Sequence, residues 1–559
     1  MIEERIHQLI EAALDACHSK GIIASTKPWS FDVTPPKDPS HGDFSTNAAL
    51  IIASKEKQKP RLIAETIVAN LPKSSDLMAK VDIAGPGFIN ITLQPASYLH
   101  ALANIFQHPE TYGTVDRGHG KKVIIEFVSA NPTGPLNIVS ARAAAIGDTL
   151  ANILKTAGFH VQREFYVNDI GHQIDLFALS LAARYQQTQG ETATIPEDGY
   201  QGEYLIDVAQ KLQKKKKYTV DDFRSFGLQA MIAWQKKSLK DFGVEFDRWF
   251  LQSELMGSKE FEKTLRFLEK KGYLYEHEGA LFFKSTAFGD DKDRVVKKKD
   301  GEYTYFASDI AYHEGKFARP CDWAIDLLGP DHHGYVARTK AAVEALGHKP
   351  EQLTVLIVQQ VNLIKEQAIV KMSKRAGRLV TMDDLIAEVG KDVARFFFLQ
   401  RSASSHLDFD LELAKKETPE NPVFYIQYAY ARIASIFRKA GSLAPNCDPS
   451  TIDLSELSLP EELTLAKMLL RYPKVIDQCA TDLEPHHLAF FLLELTKTFQ
   501  VYYSKGRADE RYRVLGSPPK RLQAKLYLLK NISIVLHHGL SLLGLSAPEE
   551  MKRNEDDDG

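Results

Sequence analysis

The chain has 559 residues, 44% hydrophobic and 26% charged, with a formal net charge of -3. That length calls for several cores of roughly 100 to 200 residues each, which excludes a single domain, and the near-neutral balance excludes attraction to nucleic acid through overall charge, so any such contact must come from local patches. Cys17, Cys321, Cys447 and Cys479 stand far apart without C-x-x-C spacing, which excludes a zinc ribbon, argues against a disulfide framework and fits a reducing cytoplasm.

The first segment, MIEERIHQLIEAALDAC, repeats apolar residues at Ile2, Ile6, Leu9, Ile10, Ala13 and Leu14, the spacing of an amphipathic helix. It lacks the continuous apolar run of a secretory leader or of a membrane span. Helix and strand signals alternate to about Asp116, with loops at STKPWSFDVTPPKDPSHGD and IAGPGFINITL, predicting a small α+β domain over 1–116.

From 117 the pattern changes. KKVIIEFVS reads as a strand, ANPTGPLNIVSAR as a turn, AAAIGDTLANILKTAG as a helix closed by Gly158, and HVQREFYVND as a second strand. Strand, helix, strand predicts parallel neighbours in a doubly wound sheet, which binds ligands beyond the carboxyl ends of its strands. Asn131, Pro132, Thr133, Gly134 and Pro135 make the turn. A helix beginning near Ser140 would leave free N–H groups at the crevice, a site suited to phosphate; the same residues also suit a plain tight turn before an N-cap serine.

Residues at about 175–290 are charged and helical and read as an insertion between two halves of the sheet. Strand-like segments return at YTYFASDIAYH, CDWAIDLLGPD and LTVLIVQQVNLI, with the helix GYVARTKAAVEALGH among them. VKMSKRAG follows, with Lys371 and Lys374 three apart around Ser373; two ammonium groups converging there could neutralise charge building on a departing pyrophosphate. The triplet Asp331, His332, His333 also occurs in metal-dependent phosphoesterases, yet adjacent histidines diverge on regular elements and chelate one ion poorly. Beyond about Arg401, VFYIQYAYARIASIFRKAG, HHLAFFLLELTKTFQVYYSKG and KLYLLKNISIVLHHGLSLLGL predict a helical bundle over 401–551. The aromatic residues Phe424, Tyr425, Tyr428, Tyr430, Tyr502 and Tyr503 sit at core spacing there, and 552–559 reads as a disordered acidic tail.

IEFVSANPTGPL, YVND at Tyr166 to Asp169, LGPDHHGYVARTKAA, VKMSKRAG and NPVFYIQYAYARI together resemble the bacterial type of arginyl-tRNA synthetase, a class I aminoacyl-tRNA synthetase. The likeness runs from Gly42 to Met551 and is weakest in the insertion. It implies a multidomain α/β architecture: an N-terminal α+β tRNA-contacting domain, a Rossmann-like parallel-sheet catalytic domain over 117–400, and a C-terminal all-α anticodon-binding bundle. It further implies a cytoplasmic monomer whose partners are ATP carried with Mg2+, L-arginine and tRNA(Arg), with neither a membrane nor a protein-bound metal such as zinc.

By the same resemblance Lys371, Lys374, Asn137 and Ser140 are catalytic. Pro132, Thr133, Gly134, Pro135, Leu136, Ser373, His332 and His333 bind ATP, with Glu126, Asn131, Tyr305, Asp309 and Asp331 around arginine and Asn90, Tyr503 and Met551 on tRNA. Asp309 is the carboxylate expected opposite the guanidinium. One departure stands out. Where the family has H-V-G-H or H-I-G-H, this chain has Asn137, Ile138, Val139 and Ser140. The amide and hydroxyl keep hydrogen-bond donors in place of imidazoles, whereas Val139 puts β-branched bulk where the family keeps a bare backbone near adenine. A catalytically impaired tRNA-binding relative is therefore the alternative reading, and a phosphoesterase the remote one.

Overall fold

A computed structural model describes residues 2–36, 38–72, 76–214, 216–366, 368–369, 381–441 and 451–551. They form two compact units, one from Met1–Tyr112, Arg432–Tyr472 and Lys497–Val535, the other from Gly113–Ala431, Pro473–Thr496 and Leu536–Gly559. No helix among the described residues is long and apolar enough to cross a membrane.

In the first unit the helix Ile2–Ser19 buries Ile6, Ile10, Ala13, Leu14 and Cys17, a single stripe at helical spacing. Strands β1 (Val33–Thr34), β2 (Phe44–Thr46), β3 (Met78–Ala84) and β4 (Phe88–Leu93) form an antiparallel sheet in the order β1-β2-β4-β3. The long helices Pro422–Ala440, Pro460–Asp482, His486–Lys505 and Pro519–Leu542 each contribute a segment to either unit.

The second unit is built on β5 (Lys122–Glu126), β6 (His160–Val167), β7 (Arg248–Leu251), β11 (Trp323–Leu328) and β12 (Leu353–Ile357). These make a parallel sheet in the order β12-β11-β5-β6-β7. Strand order reverses between β5 and β11, so the crevice past their carboxyl ends is the expected ligand position. Between β7 and β11 the chain adds a small antiparallel sheet of β8 (Leu274–His277), β9 (Ala280–Phe283) and β10 (Arg294–Lys297).

Four details differ from the sequence reading. YTYFASDIAYH is a helix, Tyr305–Phe317, rather than a strand; the Thr304 side chain accepts from the Ala307 N–H and starts it, and local capping outweighs the β-propensity of its aromatics. The 175–290 stretch contains β7, an edge strand of the parallel sheet, together with β8 and β9. LTVLIVQQVNLI divides into β12 and β13 (Val361–Lys365), which lie in different sheets. The helix after the Asn-Pro-Thr-Gly-Pro turn spans Ile138–Thr156 with Asn137 as its N-cap, the Asn137 Oδ1 accepting from the Ser140 N–H at 2.8 Å.

Asp326, Glu126 and Glu164 occupy one register row on β11, β5 and β6, with Arg248 of β7 next to Glu164. Residues in register on adjacent strands share a face at about 4.8 Å spacing, and like charges so placed repel. The helix Tyr305–Phe317 supplies the counter-charge. Lys316, fully buried, donates to Glu126 Oε2 and Asp326 Oδ1, both at 2.6 Å. His313 Nε2 lies 2.8 Å from Asp326 Oδ2, Tyr312 donates to Glu164 Oε1 at 2.8 Å, and Arg319 grips both Glu164 oxygens. Burial opposes ionisation of Asp326 and Glu164, but Lys316 with His313 on Asp326, and Arg319 with Lys316 on Glu164, hold both below the usual carboxylate range.

Two substitutions test this packing. A mid-helix Gly to Ala change ordinarily gains about 1 kcal/mol, but a Cβ at Gly147 would lie 2.3 Å from the Phe127 ring. Overpacking of about 1 to 3 kcal/mol wins, so Gly147→Ala is expected to lower the urea midpoint of unfolding. Lys316→Met leaves Glu126 and Asp326 without their shared cation and is expected to cost about 3 to 5 kcal/mol, read as a larger midpoint loss than in the double variant Lys316→Met/Asp326→Asn.

Candidate active site

The chain leaves β5 through a strained turn. Val128 and Ser129 have φ of 70° and 39°, left-handed values that cost a β-branched or ordinary residue about 1 to 3 kcal/mol. Hydrogen bonds hold the turn in place: Ser129 Oγ donates to Glu126 Oε1 at 2.8 Å and accepts the Tyr166 N–H at 3.1 Å. Past the turn Asn131 is exposed and its Nδ2 donates to Gln173 Oε1 at 2.6 Å.

The following loop carries carbonyls with no ladder partner, and the inserted helices satisfy them. Gln235 Nε2 donates to the carbonyls of Asn131 and Gly134 at 3.1 and 3.0 Å, and Tyr204 donates to the carbonyl of Thr133 at 2.5 Å. Pro132, Thr133 and Leu136 are buried, while Gly134, Pro135, Asn137, Val139 and Ser140 are half-buried. Because the Asn137 oxygen caps the helix, its amide NH2 remains to donate. The backbone then bridges to a distant part of the chain: Asn137 pairs with Thr381, and the Met382 N–H donates to the Leu136 carbonyl at 2.8 Å. Lys371, Ser373 and Lys374 lie outside the described residues, as does the 552–559 tail; the described chain resumes at Thr381.

Over the same edge the helix Tyr305–Phe317 presents Tyr305, Asp309, Tyr312, His313 and Lys316 at helical spacing. Tyr305 is 52% exposed and Asp309 half-buried. Asp309 lies well inside this helix, so it does not serve as the N-cap. Burial pushes its carboxyl up to about 7, with Glu126 and Asp326 adding to the rise and His313 and Lys316 opposing it. A carboxyl raised mainly by burial is one whose ionised form a bound cation would stabilise. Asp331, His332 and His333 are exposed in the turn after β11, the His332 ring 5.1 Å from that of Tyr335. Among the described residues the group of His and acidic side chains close enough to share an ion excludes this triplet.

Glu126, the 131–140 loop, the start of the helix Tyr305–Phe317 and the 331–333 turn thus all belong to one unit, the first two and the last at or after the carboxyl ends of β5 and β11. Asn90 and Tyr503 belong to the other unit. Asn90 is buried on β4, and Tyr503 is half-buried with the Arg432 guanidinium 4.8 Å from its ring centre. Met551 is half-buried at the end of the described chain. Sequence reasoning missed Lys316, Asp326, Glu164, Gln235 and Tyr204. The first three carried a faint signal, a charged residue inside an apolar strand or at the fourth turn of a helical face; Gln235 and Tyr204 carried none, since each meets its partner across more than 70 residues.

Three family models match the chain: the arginyl tRNA synthetase N terminal domain over 4–93, the tRNA synthetases class I (R) catalytic domain over 101–398, and the DALR anticodon binding domain over 426–551. Curated relatives include the arginine–tRNA ligase of Syntrophotalea carbinolica, 44% identical over 98% of this chain and 100% of the relative, and that of Desulforudis audaxviator, 45% identical over 98% of each. The arginyl-tRNA synthetase structure from Thermus thermophilus superposes with a TM-score of 0.76 at 21% identity, covering 98% of this chain and 100% of that one, and shares the fold. With a sheet, crevice and helical C-terminal region of this kind, the chain belongs to the arginyl-tRNA synthetases, class I enzymes that join arginine to its tRNA.

Proposed function

We propose that this chain ligates L-arginine to tRNA(Arg) through the crevice beyond β5 and β11. The arginine carboxylate attacks the α-phosphate of ATP, pyrophosphate leaves, and the arginyl group passes from the adenylate to the terminal adenosine of tRNA. The bridge from Asn137 to Thr381 carries this reading, because it joins the phosphate-type helix start to the flank of the K-M-S-K segment. ATP brings its own Mg2+ as part of the substrate, and the ligation itself calls for no zinc.

Residue roles follow from chemistry. Asn137 through its NH2, Ser140 through its hydroxyl and the free N–H groups of the helix start contact the triphosphate; Pro132, Thr133, Gly134, Pro135 and Leu136 shape its bed, and His332 and His333 border it. Lys371 and Lys374, beside Ser373, neutralise the departing pyrophosphate, so catalysis is positioning plus charge stabilisation without a covalent nucleophile. Asn131, Glu126, Tyr305, Asp309 and Asp331 line the arginine side, Glu126 acting from within its ion pair with Lys316. Lysine lacks the planar fork of a guanidinium and leaves acceptors unpaired, so selection works without editing. Asn90, Tyr503 and Met551 serve tRNA. The chain works as a monomer in the cytoplasm, where its described cysteines, Cys17, Cys321 and Cys479, stay free.

Pyrophosphate exchange with arginine, lysine and glutamine, each with and without tRNA, tests the proposal: exchange confined to arginine supports it, and salt-dependent tRNA binding without exchange would establish the impaired relative instead. Lys374→Ala is expected to slow activation about a hundredfold, roughly 3 kcal/mol of transition-state stabilisation. Asp309 gives a pH signature. Its raised pKa means that the ligand-free fold gains stability from the protonated form, an effect present at acid pH and lost as pH rises through about 7. A guanidinium requires the ionised form, so arginine KM is expected to fall as pH rises through that range, and Asp309→Asn should flatten the profile while raising KM throughout.

A further inference from the structure

Away from the crevice, the sequence Asp-Leu-Glu-Pro-His-His at 482–487 gathers ligand-type side chains between the helices Pro460–Asp482 and His486–Lys505. Leu483 takes a left-handed φ of 56°, and the Glu484 N–H donates back to the Cys479 carbonyl at 3.2 Å. This closes the first helix and returns the chain so that Glu484 faces the start of the next. Adjacent helical residues diverge by about a quarter turn, yet the rings of His486 and His487 converge to 4.3 Å between centroids.

We propose that Glu484, His486 and His487 bind one zinc ion, with Asp482 at its edge. His487 Nε2 lies 3.4 Å from Glu484 Oε2, His486 Nε2 lies 3.6 Å from the same oxygen, and His487 Nε2 lies 3.6 Å from Asp482 Oδ2. Ligands about 2.0 to 2.2 Å from a tetrahedral zinc stand apart by about 3.3 to 3.6 Å, the edge of the tetrahedron. One ligand atom from each of Glu484, His486 and His487 lies within 4.8 Å of the others.

The His486 ring is mostly buried, so packing fixes its orientation before any ion arrives. Two imidazoles and a carboxylate favour zinc, or cobalt and nickel in its place, over calcium or magnesium, which take oxygen donors. Water completes the set, oriented by Asp482. Such an ion would pin the helix hairpin; it takes no part in the ligation, and it differs in kind from the ribbon that cysteine spacing excludes.

The test uses the full, untagged chain stripped with chelator and titrated with Co2+ and then Zn2+. The expected result is one equivalent of Co2+ with the intense visible absorption of a tetrahedral centre, bleached by one equivalent of Zn2+ and accompanied by a higher thermal midpoint. His487→Ala should abolish the cobalt spectrum, Glu484→Gln, nearly isosteric, should weaken uptake by about tenfold or more, and His332→Ala should change neither. No cobalt centre in the wild-type chain, or one unchanged in both His487→Ala and Glu484→Gln, would overturn the proposal.

Discussion

Three carboxylates in one row across neighbouring strands form the constraint around which the larger unit is arranged. Asp326, Glu126 and Glu164 cannot share a sheet face as anions unless cations meet them there. Lys316 sits between two of them and Arg319 closes on the third, both delivered by the helix Tyr305–Phe317 or the chain just after it. The row therefore fixes the rotation of that helix about its axis. Because Asp309 lies nearly two turns before Lys316, the same rotation sets where Asp309 stands, with a carboxyl that burial makes easier to protonate than an ordinary one. The proposed selection of arginine at Asp309 thus rests on the same arrangement as the electrostatic balance within the sheet.

The turn after β5 rests on a different kind of support. A left-handed valine and serine at the end of β5 are unfavourable alone, and they persist because Ser129 is bonded on one side to the carboxylate row and on the other to the backbone at Tyr166. The loop that follows has its carbonyls taken up by Gln235 and Tyr204. The inserted helices thus brace the turn after β5.

Asn137 does several things at one helix start. Its oxygen stabilises the helix, its backbone bridges Thr381, and its NH2 is left over. A histidine at this position could offer a donor but would cap less well, since N-caps favour short side chains with an acceptor oxygen. Val139 is half-buried on the first turn, so its bulk lies partly toward solvent and does not interrupt the helix.

Much of the architecture was legible in the chain itself. The apolar periods of the N-terminal and C-terminal helices and the strand, turn and helix around Asn131 are local patterns, and local patterns follow from side-chain geometry within a few residues. Capping is readable in part: Thr304 signals a helix over a segment of strand-like composition, and Asn137 signals a helix start two residues before Ser140. What sequence could not decide were partnerships between distant segments. Which charges line up on adjacent strands depends on strand order and register; which carbonyls Gln235 and Tyr204 satisfy depends on how an insertion folds back; whether two neighbouring histidines diverge or converge depends on the packing around their rings. Each of these is set by contacts made only once the chain has packed, because burial is what turns an unpaired charge or carbonyl into a cost large enough to select one arrangement.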